Sequence, residues 1–281
     1  MEIRELAAAD QPRVQSLLQQ NTNMPIEEIE QALANGRRLV ALQGESLCGF
    51  AALTPGSPGA YSVVIAVEPT VRRQGIGRAL WKQLATTLSA EDKYVCCPCP
   101  AESVAGHAFL QAIAFAPWFS DDLMFYAGSN LPEPSLNVRP YRDEDCATWI
   151  ALINEGFYPL RNANDIEPYH VFRADAADDP AFRQRFLSSG DEKLLFYDGD
   201  QLIGLAALVG AEIDPVLVVS EQRGRGYGKQ IMAYCTNRIL ERRIGPAKLS
   251  VVRINASARR LYESVGYRLV AQHDWFRLKL G

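Results

Sequence analysis

The chain repeats itself, and no other feature of the sequence limits its fold as tightly. Ile3-Arg4 followed by Ala9-Asp10 returns as Val138-Arg139 followed by Glu144-Asp145, 135 positions later. Gly49-Phe50-Ala51-Ala52-Leu53 returns as Gly204-Leu205-Ala206-Ala207-Leu208 at an offset of 155. Val67, Arg72, Gly75 and Gly77 return as Val218, Arg223, Gly226 and Gly228 at an offset of 151. Two short matches arise by chance; three in one order with a slowly drifting offset describe a duplicated unit. The drift places 20 extra residues ahead of the Gly204 segment and 4 in the turn-rich stretch from Thr54 to Gly59. Between the copies, Gly128 to Ser135 is rich in Gly, Pro and Ser and lacks apolar periodicity, which predicts a linker. Two domains are expected, residues 1–130 and 136–281, and 281 residues suffice for both.

Each copy has the same order of elements. A strand leads into two helices, three strands follow, and a Gly-rich turn opens a long helix before a closing strand, helix and strand. That alternation predicts an α/β fold, a mixed sheet covered by helices. In the second copy the first helix is expected over Glu144–Glu155, with most of the extra length following it. Lys and Arg number 29 and Asp and Glu 33, a net charge of −4 that offers no overall attraction to nucleic acid or anionic lipid. The start has no signal pattern and no stretch approaches ~18 uninterrupted apolar residues, so a cytoplasmic protein without membrane or nucleic-acid partners is expected. Cys96, Cys97 and Cys99 lie close together, but no second ligand pair follows at zinc-site spacing. Buried strand thiols and no metal are expected there.

The chemistry concentrates after the strand ending at Val218-Val219. Gly224, Gly226 and Gly228 alternate with Arg225 and Tyr227, Arg223 precedes them, and Lys229 follows at the start of a helix. Alternate glycines let a backbone approach its ligand and point N–H groups into one concavity, to which the helix N-terminus adds its dipole. This suits a pyrophosphate. A dinucleotide fingerprint fails because the third glycine position holds Lys229 or Ile231 and Lys248 stands where an acid is needed. A nucleotide P-loop fails because Gln230 follows Lys229 and Arg223 occupies its first glycine.

The pattern R-x-x-G-x-G after a Val-ending strand resembles the GNAT superfamily of acyl-CoA-dependent N-acetyltransferases, here in two tandem copies covering nearly the whole chain. A second stretch, Asn255-Ala256-Ser257-Ala258-Arg259-Arg260-Leu261-Tyr262-Glu263-Ser264-Val265-Gly266-Tyr267, resembles the family's N-x-x-A-x-x-L-Y-x-x-x-G-[FY] helix at every position. The resemblance implies two domains, each a mixed, mostly antiparallel twisted sheet flanked by helices, with acetyl-CoA as cosubstrate. It implies that Val218 and Val219 meet the cosubstrate from the strand, that Arg223 to Lys229 hold its pyrophosphate, and that Asn255 contributes nearby. In the first copy Val67 and Arg72, Arg73, Gln74, Gly75, Ile76 and Gly77 take the corresponding places.

Tyr262 is the candidate acid. Transfer to an amine expels a thiolate with a proton affinity near that of a thiol of pKa ~8.5, which a phenol of pKa ~10 can hydrogen-bond or protonate. The alternative is a core tyrosine with a satisfied hydroxyl. Glu212 and Asp214, on or just before the strand that binds CoA, are the candidate bases; the alternative is a pair of solvated charges. In the first copy Leu110 falls opposite Tyr262, Ser103 opposite Asn255, Ala114 opposite Gly266, and Tyr61 and Val63 opposite the two carboxylates. The expectation is a catalytic second domain acting on a small-molecule or peptide amine beside a degenerate first domain. A non-catalytic acyl-CoA sensor is the alternative.

Overall fold

The computed structural model describes residues 1–22, 26–57, 59–89 and 91–280, without the side chains of 26–28. Pro58, in the predicted turn, lies outside the described residues. In chain order the elements are β1 (Glu2–Glu5), α1 (Gln11–Asn21), α2 (Ile26–Ala34), β2 (Arg37–Gln43), β3 (Ser46–Pro55), β4 (Ala60–Val67), α3 (Ile76–Ala85), β5 (Tyr94–Pro100), α4 (Val104–Ala112) and β6 (Ala116–Tyr126). The series then repeats as β7 (Asn137–Pro140), α5 (Cys146–Ala163), α6 (Pro180–Ser188), β8 (Glu192–Asp198), β9 (Gln201–Val209), β10 (Glu212–Val218), α7 (Tyr227–Arg242), β11 (Ala247–Val252), α8 (Ala256–Val265) and β12 (Arg268–Lys279). No helix among the described residues is long and apolar enough to cross a membrane.

The chain forms two compact units, one of Met1–Trp118 with the residues from His273 onward, the other of Phe119–Gln272. In the first the strand order is β1-β2-β3-β4-β5-β12, and in the second β6-β11-β10-β9-β8-β7. The pairs β4·β5 and β10·β11 are parallel and the other pairs within each unit antiparallel. The sequence reading divides the chain near residue 132; the compact units divide it differently because each repeat's closing strand joins the other repeat's sheet. Residues 121–126 of β6 pair with β11, and residues 273–279 of β12 pair with β5. The expected linker is also strapped down: Asn237 of α7 accepts from the Leu131 N–H at 2.7 Å and donates to its carbonyl at 2.9 Å.

Alternation along the strands loads both faces of each sheet, so each unit needs helices on both sides. In the first unit Val40, Leu42 and Phe50 pack under α1 and α2, while Leu39, Ala41 and Ala51 pack under α3 and α4. In the second, Leu195 and Leu205 face α5 and α6, while Phe196 and Ile203 face α7 and α8. The repeated Gly-x-Ala-Ala-Leu has a steric cause in the second copy: a Cβ on Gly204 would lie 2.2 Å from the Leu217 carbonyl oxygen on the neighbouring strand.

The Arg-Asp repeat also has a structural meaning. Arg4 grips Asp10 through both guanidinium nitrogens at 2.6 and 3.0 Å, and Arg139 grips Asp145 through both at 2.7 Å. Each carboxylate also accepts a backbone N–H, from Ala7 and from Arg142. The Arg4 hydrogen bond holds the Asp10 carboxyl down at about 2, and Arg139 lowers that of Asp145 likewise. The cysteines of Tyr94–Pro100 lie on β5 as free thiols, and burial pushes Cys96 and Cys99 up to about 11. Among the described residues no group of three or more His, Cys, Asp or Glu is arranged to hold a metal.

Candidate active site

The second unit's site begins where two parallel strands part. β10 and β11 are in register only at Glu212 and Lys248, and β10 shifts its pairing with β9 between Ile213 and Val216. Beyond that bulge Val216, Leu217 and Val218 keep their partners on β9 while β11 has diverged. The Val219 N–H donates to the Ile203 carbonyl at 2.9 Å. Because N–H groups alternate sides along a strand, the Val218 N–H points to the open edge. Val218 therefore offers a backbone donor to a ligand, whereas that of Val219 is already engaged. The first unit is built alike: Ala60–Ser62 pair with Tyr94–Cys96 before the strands part, and Glu68 N–H donates to Cys48, leaving Val67 facing the opening.

The Gly-rich turn follows. Gly224 and Gly226 have φ of 79° and 85°, and a Cβ on either would meet nothing within 4 Å. Their positive φ favours glycine, and the open space above them is a shallow cradle at the N-terminus of α7. Arg225 and Lys229 stand exposed beside it. Arg223, also exposed, donates through Nε to the Val218 carbonyl at 3.0 Å and braces the turn against the strand it leaves. Arg72 does the same to Val67 at 3.0 Å. Gly228 and Gly77 serve packing, since a Cβ there would sit 2.9 Å from Leu261 and 3.1 Å from Phe109. The Tyr227 hydroxyl bonds Asp198 at 2.6 Å. In the first unit Gly75 caps α3 at φ 83° and Ile76 is buried, but the position of Gly224 is held by Arg73 at φ 66°, followed by exposed Gln74.

Gly226→Ala should cost about 1 kcal/mol of stability, because alanine resists positive φ. The added methyl also enters the cradle, so affinity for the CoA ester that the sequence resemblance expects there, measured by calorimetry, should fall more steeply than the melting temperature suggests.

Tyr262 lies on α8, which Asn255 caps by accepting the Ala258 N–H at 3.2 Å and Gly266 closes at φ 117°. The Tyr262 ring is 7% exposed, packed in the core between α7, α8 and the sheet. Among the described residues its hydroxyl has no hydrogen-bond partner, unlike the neighbouring Tyr267, whose hydroxyl is bonded to Thr236 at 2.7 Å. Burial pushes the Tyr262 phenol well above its ordinary value, and the charge of Asp214 pushes it further. Asp214 is exposed, although protein crowds it on most sides. Burial and the adjacent Glu212 raise it to about 6, with Arg161 opposing them. Glu212, half-buried, sits where β10 and β11 part.

Arg161 belongs to a part of α5 that the sequence reading ends too early. The helix runs through Pro159 to Ala163. Trp149, Ile150 and Ile153 bury its first turns, and Asn164 Nδ2 donates to the Leu160 carbonyl at 2.7 Å beyond the proline. Gly156 lets the helix pass the sheet, since a Cβ there would lie 2.0 Å from Leu217 Cδ1. Glu155 on this helix accepts from Ser220 at 3.1 Å, and Arg161 Nε donates to Pro168 at 2.6 Å. Glu155, Tyr158 and Arg161 recur every third residue, on one helical face.

The first unit keeps the frame without these groups. Ser103 caps α4 as Asn255 caps α8, and Ala114 takes the positive φ of Gly266 at 70°. Leu110, buried, stands for Tyr262. The strand registers correct the match of Tyr61 and Val63 to the carboxylates: Ser62 holds the place of Glu212 and Val63 that of Ile213, while Asp214 lies in the β10 bulge, which adds a residue to the second copy.

Sequence comparison agrees with the geometry. The profile of the Acetyltransferase (GNAT) family matches residues 2–115, and that of the Acetyltransferase (GNAT) domain matches residues 140–276. The chain is a tandem GNAT acetyltransferase. It is 28% identical over 252 residues to the mycothiol acetyltransferase of Thermobispora bispora, covering 83% of this chain and 81% of that protein. The mycothiol acetyltransferase of Thermomonospora curvata is 27% identical, over 85% and 82%. Among solved structures, a GCN5-related N-acetyltransferase from Sphaerobacter thermophilus shares the fold with a TM-score of 0.73 at 16% identity, over 99% of this chain and 95% of that one. A tandem GNAT protein from the clavulanic acid biosynthesis pathway gives 0.69 at 15% identity, over 100% and 98%.

Proposed function

We propose that the second unit transfers an acetyl group from acetyl-CoA to a primary amine of a small molecule or peptide, by direct attack with both substrates bound. One observation carries this reading: at the parting of β10 and β11 the Tyr262 phenol has no hydrogen-bond partner among the described residues and feels the charge of Asp214. Acetyl-CoA would supply the activated thioester. The open cradle of Gly224 and Gly226, with Arg225 and Lys229, would hold its pyrophosphate. Val218 N–H would face the carbonyl oxygen as charge develops there. Asp214 would take the proton of the incoming ammonium, with Glu212 beside it sustaining its basicity. Tyr262 would hydrogen-bond the departing sulfur as charge develops on it.

The first unit, with Leu110 in place of the acid and Ser62 in that of Glu212, is the degenerate copy, its turn retained for structure or CoA binding. The similarity to mycothiol acetyltransferases supports a small-molecule acceptor. The test is release of CoA thiol from acetyl-CoA across a panel of small amines and short peptides. Turnover with at least one amine is expected; tight acetyl-CoA binding with no turnover on the whole panel would favour a sensor instead.

A further inference from the structure

Asp122 is a fully buried carboxylate in the second unit. It arrives on β6, the closing strand of the first repeat. Its Oδ1 accepts from Arg253 Nε at 3.1 Å and from Gln272 Nε2 at 2.8 Å, and its Oδ2, without a hydrogen bond among the described residues, forms an ion pair with Arg259 Nη1 at 3.1 Å. Arg253 stands two residues before the Asn255 cap of α8. Arg259 stands one helical turn before Tyr262, on the same side of the helix. The segment that carries the phenol is thus tied on both sides of its cap to one residue fixed in the sheet.

The anchor has a purpose because nothing else polar among the described residues holds the phenol. With no partner on its hydroxyl, Tyr262 is located by ring packing and by where α8 lies. The first unit provides the contrast. There Asp274 on β12 and His107 on α4 hold the places of Asp122 and Arg259, each at an offset of 152. Their separation is 3.6 Å, Asp274 is 28% exposed, and Ala101 stands where the second copy has Arg253. That weaker contact holds a helix bearing Leu110. The two-arginine anchor occurs where the helix bears the tyrosine.

We propose that Asp122 is a positioning residue for Tyr262, so that the first repeat takes part in the chemistry of the second unit through the strand it donates. This rests on Tyr262 being the acid of the proposed reaction. A displaced catalytic group loses rate without losing substrate affinity. Asp122→Asn should therefore lower kcat by about tenfold while the KM for acetyl-CoA stays within about twofold.

The experiment is a double-mutant cycle with Tyr262→Phe, accompanied by thermal denaturation and acetyl-CoA binding. In the Tyr262→Phe background, Asp122→Asn should cause no further loss, because the group it positions is already gone. Asp274→Asn, the corresponding change in the first unit, should leave kcat unchanged. Arg259→Gln, at a side chain 35% exposed, carries the same cycle if Asp122→Asn does not fold. Multiplicative losses at Asp122 and Tyr262, or an equal loss in Asp274→Asn, would overturn the inference and leave the acid assignment standing. A fully active Tyr262→Phe enzyme would remove the acid assignment and the inference together.

Discussion

Replacing Tyr262 with phenylalanine should lower kcat by about 10²–10³-fold, the range for loss of a positioned acid. It should do so without destabilising the protein. The hydroxyl has no partner among the described residues, so its removal breaks no hydrogen bond, and the ring keeps its place in the core. The KM for acetyl-CoA should stay within about twofold, because the group acts on charge that appears only as the thioester breaks. Burial and the charge of Asp214 both hold the phenol protonated beyond its ordinary range, so wild-type activity should show no alkaline limb from this residue near pH 9. Such a phenol acts chiefly by hydrogen bonding the departing sulfur, since complete transfer to a thiolate of proton affinity ~8.5 is uphill. Steady-state rates and melting curves of Tyr262→Phe check both halves of the expectation. An unchanged rate would dismiss Tyr262 as the acid.

Asp214→Asn should cost activity comparably and leave a different signature. An alkyl ammonium of pKa ~10.4 is about three units from neutral at pH 7, roughly 4 kcal/mol that a nearby base helps to overcome. With Asp214 raised to about 6, wild-type kcat/KM should rise with pH through that value and level off above it. In Asp214→Asn the limb near pH 6 should vanish and the plateau should fall by about 10²-fold. Stability moves the other way. A carboxyl whose folded pKa lies above its unfolded value disfavours the folded state once ionised, so the penalty is present above about pH 6 and gone below the unfolded pKa. Asp214→Asn should therefore melt higher than wild type at pH 7, with the difference shrinking as pH falls towards 4. A variant that keeps the limb near pH 6 would move the base assignment to Glu212.

Much of this site was legible because its signals are local. Gly224 and Gly226 need positive φ, Asn255 and Gly266 bound a helix, and the departure at Leu110 follows from alignment of the copies. The β10 bulge was not legible, and it sets Val63 against Ile213 rather than Asp214. What was missed depends on contacts distant in sequence. Arg223 and Lys229 look equivalent as cations beside a Gly-rich turn and both are exposed, yet Arg223 also donates back to the Val218 carbonyl and braces the turn. Pro159 reads as a helix stop, but the first turns of α5 are so well buried that the helix absorbs the lost hydrogen bond. The exchange of β6 and β12 was invisible for a deeper reason. Both strands close the same kind of sheet and carry an aspartate at the same place, so neither pattern says which sheet it joins.

That exchange sets the order in which the molecule can be completed. The first unit obtains its sixth strand from residues 273–279, and the pair Tyr94 with Lys279 spans 185 positions of chain. A ribosome that has finished the first repeat has therefore not yet made a finished first unit. Its β5 edge waits for nearly the whole second repeat to be synthesised, and the long loop to be closed favours slow completion. During that interval β5 is exposed as an unpaired edge, open to mispairing with another nascent chain.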